Sequence, residues 1–311
     1  MNTSRTIAHG AALMTIIVWG TTFIATKILL SVFTPIEILL IRFIMGLFAL
    51  TVLDHLLHTK RKPIPFSWKQ ELLFIGAGLT GVVMYYLLEN VALTMTYASN
   101  VGILVSIAPL TTALLAPLFL KDEPIHLRLI VGFLVASIGV VFVMFNGTVR
   151  IAVSLKGDLL ALGSTLGWAL YSIILKKIDT DRYGVITYTK KIFFYGLLFM
   201  LPSAFTGDVA LSWQDFTLLH ILLLLFLGFI ASAACFVSWN HAVRILGVFR
   251  TSAYIYLTPL VSLITAAIVL KEPVTFMAVS GCLLILAGLY LSEKKSSASL
   301  EIATSESPEL V

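Results

Sequence analysis

Ten apolar runs, each long enough to cross a bilayer as a helix and separated by short polar stretches, occupy residues 9–292. A hydrocarbon core takes about 20 residues of helix. The runs read as 9–31, 35–57, 71–93, 98–120, 126–146, 157–178, 184–206, 215–241, 250–270 and 274–292. They are too long, and alternate too little, for a transmembrane β-barrel. With 59% hydrophobic and only 12% charged residues, the chain leaves no room for a sizeable soluble domain. The expected fold class is an all-α integral membrane protein with ten transmembrane helices.

The first run follows only Arg5 and exceeds the apolar stretch of a signal peptide, so it reads as an uncleaved first helix. From Ser292 the sequence turns polar, and residues 293–311 read as a disordered cytoplasmic tail. Orientation follows from Lys and Arg in the short loops. With the N-terminus inside, Arg5, Lys60, Arg61, Lys62, Lys69, Lys121, Arg128, Lys176, Lys177, Arg182, Arg244, Arg250, Lys294 and Lys295 fall on the inner side. The outer side holds Arg150, Lys156 and Lys271, with Lys27 near it. Both termini are therefore expected to be cytoplasmic, in the cell (plasma or inner) membrane.

Comparing residues 149–150 apart exposes an internal repeat. Trp19 and Lys27 match Trp168 and Lys176, Gly46 matches Gly196, and Gly78, Asn90 and Ala92 match Gly228, Asn240 and Ala242. Further on, Pro109-Leu110 matches Pro259-Leu260, Glu123-Pro124 matches Glu272-Pro273, and Gly132 and Gly139 match Gly281 and Gly288. Each copy holds an odd number of spans, so the second enters the membrane from the opposite side. The chain thus divides into five-helix repeats at residues 1–146 and 147–292, followed by the tail. Inverted repeats are an architecture of many secondary transporters, with the substrate site near the midplane between the halves.

Trp19-Gly20 followed by Lys27, Pro35 to Arg42 opening the second span, and the segment from Asn90 to Ser99 together resemble the EamA-like family of the drug/metabolite transporter superfamily. Pro109-Leu110 leading to Lys121-Asp122-Glu123-Pro124, then Gly132 and Gly139, completes one family unit, and a second covers the other half. The resemblance implies a central cavity built by the third, fourth, eighth and ninth helices, with the first and sixth nearby. It also implies export of an amino acid or similar metabolite, with an importer or exchanger of the same fold as the alternative. The halves differ at two places: Ile192 stands where Arg42 would be, and Trp239 where Glu89 would be.

Ionisable groups within a bilayer are costly, so they mark candidate sites. Lys27, Glu37, Arg42 and Glu89 fall roughly 6–14 Å outward of their span centres at about 1.5 Å per residue. Lys27, Arg42 and Glu89 are candidate gate or coupling residues, with structural pairing as the alternative. Gly78, Gly81, Tyr85, Glu89 and Ala92 share one helical stripe, which suits a cavity rather than lipid. Trp19 with Thr15, Thr22 and Thr26 forms a second stripe, matched by Trp168 with Ser164 and Tyr171. Central prolines Pro109 and Pro259 put irregular backbone at membrane depth, tolerated where it lines a cavity. Gly102 and Ser106 share the face of Pro109, and Ser252 and Tyr256 that of Pro259. With Asn90, these complete the candidate cavity set.

Other chemistry lacks a signature. Cys235 and Cys282 lie deep in apolar runs, implying no disulfide framework. The six histidines form no metal spacing, and no Gly-rich phosphate loop precedes a Lys-Ser/Thr pair. A nucleophile–base pair for an intramembrane enzyme and a filter segment for a channel are both missing from the pattern. No cofactor and no nucleic-acid partner are expected. The expected partners are a small-molecule substrate and the lipid bilayer, with a homodimer open as an alternative to a monomer.

Overall fold

The computed structural model describes residues 3–58, 65–119, 127–145, 155–205, 216–247 and 251–293, and every regular element among them is helical. In chain order these are α1 (Thr3–Leu29), α2 (Pro35–His58), α3 (Trp68–Met95), α4 (Ala98–Phe119) and α5 (Leu127–Phe145). They continue as α6 (Leu155–Leu175), α7 (Val185–Met200), α8 (Leu218–Leu246), α9 (Tyr254–Val269) and α10 (Phe276–Glu293). Among the described residues six of these, α1–α4, α6 and α8, are long and apolar enough to cross a membrane, and α5, α9 and α10 contain shorter apolar stretches. Residues 294–311 of the expected tail, the boundary at 146/147, and Lys121, Glu123 and Pro124 lie outside the described residues, while Glu293 ends α10.

Local chemistry sets the helix ends. At the start of α2 the Thr34 amide donates to Glu37 Oε2 at 2.7 Å and the Glu37 amide donates to Thr34 Oγ1 at 3.3 Å. This reciprocal cap, with Pro35 at the first helical position, gives Glu37 a local structural role. α7 ends at Met200, short of the 206 expected from hydropathy, because Pro202 supplies no amide and the chain tightens into a 3₁₀ turn at Leu201–Phe205. α8 runs past the expected 241 and stops at Gly247, whose φ of +86° is a conformation L residues rarely adopt.

The central prolines break their helices in matching ways. α4 consists of Ala98–Val105 and Ala108–Phe119, joined through Ser106 and Ile107, whose amides reach back only three residues. Pro109 sits in the first turn of the second segment, where no amide is required. α9 repeats this with a 3₁₀ turn at Ala253–Leu257 and a helix at Thr258–Val269 that opens on Pro259. Hydropathy gave no sign of a second irregularity, the π-helical turns at Leu79–Met84 in α3 and Phe226–Ala234 in α8. Their wide turns displace side chains from the regular register, as π segments at functional sites often do.

Helix packing is reciprocal. α1 packs on α8 and α9, while α6 packs on α3 and α4; α2 meets α7, α4 meets α9, and α5 meets α10. Small residues permit these approaches. A Cβ placed on Gly139 of α5 would lie 2.6 Å from the Gly281 carbonyl oxygen and 2.8 Å from the Ile285 nitrogen of α10. Gly288 of α10 faces the Gly132 carbonyl and Ala136 in the same way.

Candidate functional site

Where α1, α3, α4, α6 and α9 converge they line a cavity of about 30 Å³. Ile16, Trp19, Thr22 and Phe23 come from one face of α1, Tyr85, Tyr86 and Glu89 from α3, and Trp168 from α6. The helix breaks supply the remaining wall, Val105 and Ala108 from α4 and Ile255 and Thr258 from α9. One water needs about 10–15 Å³ of such space, so the cavity admits about two waters and no metabolite. The centre is therefore too narrow for a metabolite in this arrangement.

Aromatic rings supply five of the twelve lining residues. Trp19 meets Trp168 edge to face with centroids 5.4 Å apart, and Trp168 stands 5.2 Å from Tyr85. Trp239 and Phe236 of α8 back the pair, at 5.3 Å and 5.4 Å from Trp19. The two tryptophans, equivalent in the repeat, differ in bonding. Trp19 Nε1 donates to the Ala231 carbonyl in the π segment of α8 at 2.8 Å, whereas Trp168 Nε1 is buried without a partner.

Glu89 is 2% exposed and lies one turn after Tyr85 on the same face of α3. Arg42 of α2 is fully buried, its Nε donating to Ser232 Oγ of α8 at 2.8 Å and its guanidinium lying 4.3 Å from the Tyr86 ring centre. Stacking on an electron-rich face offsets part of the desolvation of this cation. Neither Arg42 Nη has a hydrogen-bond partner.

Polar ties lie at both ends of the bundle. At the C-terminal end of α3, Lys27 Nζ donates to the Leu93 and Thr96 carbonyls at 2.5 and 2.8 Å. Glu272, from the loop after α9, accepts from the Ala98 and Ser99 amides at 2.9 and 3.0 Å and from Ser99 Oγ at 2.6 Å. A cation thus caps the end of α3 and an anion the start of α4, the favourable sense for both helix dipoles. Thr96 Oγ1 adds a 2.8 Å bond to Asp158 of α6. About 33 Å away along α3, at 1.5 Å per residue, the other end is tied by Lys191 to Glu71 and Lys190 to Asp54. Tyr195 donates to Glu71 at 2.6 Å and Thr187 to Asp54 at 2.8 Å. Lys190 and Lys191 are thereby each paired across the interface between α7 and the α2–α3 region.

Of the residues singled out from sequence, Trp19, Tyr85, Glu89 and Trp168 line this cavity. Ser106, Pro109, Tyr256 and Pro259 sit one residue along from the lining Val105, Ala108, Ile255 and Thr258, and Ser106 Oγ donates to the Ile103 carbonyl at 2.6 Å. Gly102 lies where α4 crosses Ser262 of α9, and Ser252 is buried at the start of α9. Asn90 reaches the Pro35 carbonyl at 3.5 Å, while Tyr171 donates to Asn240 at 3.1 Å. Sequence reasoning assigned no role to Glu272, Asp158, Ser232 or Phe236. The repeated Glu-Pro pair was the available signal for Glu272; nothing local marked Ser232, whose place depends on the π turn.

Several helices long and apolar enough to cross a bilayer, bundled together, define a multi-pass membrane protein. The chain belongs to the EamA-like transporter family, which matches residues 6–145 and again residues 155–293. An uncharacterized transporter of Archaeoglobus fulgidus is 27% identical over 289 residues, covering 92% of this chain and 97% of its own. A protein of Escherichia coli (strain K12) described as a "probable amino-acid metabolite efflux pump" is 24% identical over 292 residues, covering 90% and 93%. A solved structure titled "Crystal structure of protein" superimposes with a TM-score of 0.65 at 19% identity, covering 99% of both chains, which establishes likeness of fold.

Proposed function

We propose that this chain is a ten-span secondary transporter that exports a small metabolite, an amino acid or similar compound, across the plasma membrane by alternating access. The observation that carries the reading is the central cavity, lined by aromatic rings and one carboxylate, with polar ties at both ends of the bundle. A substrate site needs opening toward each side in turn, and polar ties between opposite parts of the bundle can break one end at a time. Two further observations support inverted halves at 1–146 and 147–292: the family match occurs twice, and the helix pairs are reciprocal. In this reading Lys27 belongs to the outer gate, and Arg42 and Glu89 couple the gates to the site.

Reconstitution tests it. Vesicles holding the purified protein and loaded with labelled amino acids should show efflux and counterflow well above protein-free vesicles. Background flux across a broad metabolite panel would reject the transporter reading.

Both termini lie in the cytoplasm in this proposal, on the Lys/Arg asymmetry. Cysteine at Ser31, after α1, should react with an impermeant thiol reagent in intact cells, and cysteine at Lys177, after α6, should not. The reverse pattern would invert the topology.

A further inference from the structure

We propose that the central cavity recognises an organic ammonium compound with an apolar body and a hydrogen-bond-accepting oxygen, the ammonium on Glu89 and the oxygen on the Trp168 indole N–H. This assignment rests on the transporter reading above and adds the chemistry of the cargo.

Among the residues lining the cavity Glu89 alone carries a formal charge, and the rings of Trp19, Phe23, Tyr85, Tyr86 and Trp168 surround it. Ring faces are electron-rich, so a desolvated ammonium gains from both the carboxylate and the rings, while an anion that brings no ammonium meets repulsion from both. The nearest competing cation, Arg42, is not part of the wall: it stacks on Tyr86, with Nε held by Ser232.

The second contact follows from the unequal tryptophans. Trp19 Nε1 is satisfied by the Ala231 carbonyl, so it contributes only its ring. Trp168 lines the same cavity at 3% exposure with its Nε1 buried and unpartnered. An indole nitrogen can only donate, so its complement is an oxygen or other acceptor on the occupant. Thr22 cannot play that part as freely, because its hydroxyl already donates to the Trp19 carbonyl at 2.7 Å. One acceptor pole and one donor pole in an aromatic box specify an ammonium compound that also carries an acceptor oxygen, a description that amino acids and amino alcohols both meet. Entry of such a compound requires the narrow centre to expand.

The test uses the full-length purified protein and four probes sharing a phenyl body. Phenylalaninol carries the ammonium and an oxygen, 2-phenylethylamine the ammonium alone, 3-phenylpropan-1-ol the oxygen alone, and 3-phenylpropanoate an anion. Binding by calorimetry should rank phenylalaninol first and 3-phenylpropanoate last. Trp168→Phe keeps a ring and deletes the donor; it should weaken phenylalaninol about tenfold and leave 2-phenylethylamine within about twofold. Glu89→Gln should weaken both amines about tenfold or more and spare 3-phenylpropan-1-ol. Equal weakening of the two amines by Trp168→Phe overturns the Trp168 contact. Preferred binding of the anion, or no binding of either amine to the unaltered protein, overturns the whole assignment. If either variant fails to fold, the ranking on the unaltered protein still decides. Flux of some metabolite in vesicles without amine binding would sink this recognition scheme alone, whereas the absence of all flux would sink the transporter reading.

Discussion

Glu272→Gln should lower transport about tenfold or more and make the cavity easier to reach from the end where α3 meets α4. Glu272 receives two backbone amides and one hydroxyl at the start of α4, all within 3.0 Å. An amide in its place keeps the shape but loses the charge and turns one acceptor into a donor facing other donors. Charge-assisted hydrogen bonds contribute about 1.5–3 kcal/mol each, and partial exposure of Glu272 points to the lower end. Loss of about 1.5 kcal/mol from the closed arrangement shifts its population about tenfold. Lys27→Met removes the partner cap on the Leu93 and Thr96 carbonyls and should act in the same direction. The measurement is the rate at which a cysteine at Ala108, in the cavity wall, reacts with an impermeant thiol reagent from each side of oriented vesicles. Glu272→Gln should accelerate the reaction from one side only. Equal rates with and without the substitution, alongside normal transport, would leave the tie with a purely structural role.

Gly139→Val should damage the folded bundle severely. Its Cβ would fall 2.6 Å from a backbone oxygen and 2.8 Å from a backbone nitrogen of α10, and backbone cannot rotate aside as a side chain can. The helices must separate along the whole α5–α10 contact, where Gly132 and Gly288 depend on the same spacing. Overpacking of a well-filled contact costs about 1–3 kcal/mol, and the rigid neighbours place this one at the upper end. Thermal unfolding in detergent should show a large drop in midpoint or loss of monodisperse protein. Gly10→Val is the control, since a Cβ at Gly10 meets nothing within 4 Å. Equal effects of the two changes would mean that the cost arises from glycine replacement in a helix rather than from the crossing.

Some of the site was legible because it depends on local spacing. Tyr85 and Glu89 lie four residues apart on one helix, and both line the cavity. The prolines announced the breaks in α4 and α9, since a missing amide acts wherever it stands. Which side chains the breaks expose was not legible. The three-residue hydrogen bonds at Ser106 and Ile107 reset the register, so the wall carries Val105 and Ala108 while Ser106 bonds back to Ile103. The charges divided in the same way. Lys190 and Lys191 lie within an apolar run, and their partners Asp54 and Glu71 are far away in sequence, so no local spacing announces the pairs. Glu37 looked like an intramembrane charge, though Thr34 three residues earlier already offered the reciprocal cap.

By itself the sequence determined that this protein is helical and built for a bilayer. A backbone surrounded by hydrocarbon must satisfy its own hydrogen bonds, and long unbroken apolar runs do so only as helices. It also carried the repeated glycines and prolines, whose effects on close approach and on helix continuity need no knowledge of their neighbours. Only the tertiary structure decided that Trp19 finds a carbonyl and Trp168 does not, and that Arg42 stacks on Tyr86 with both Nη groups unpartnered. Two of the partners, Ala231 for Trp19 and Ser232 for Arg42, lie in the π segment of α8. A hydrogen bond depends on positions fixed to a few tenths of an ångström between helices remote in sequence, and spacing along one chain contains no such distance.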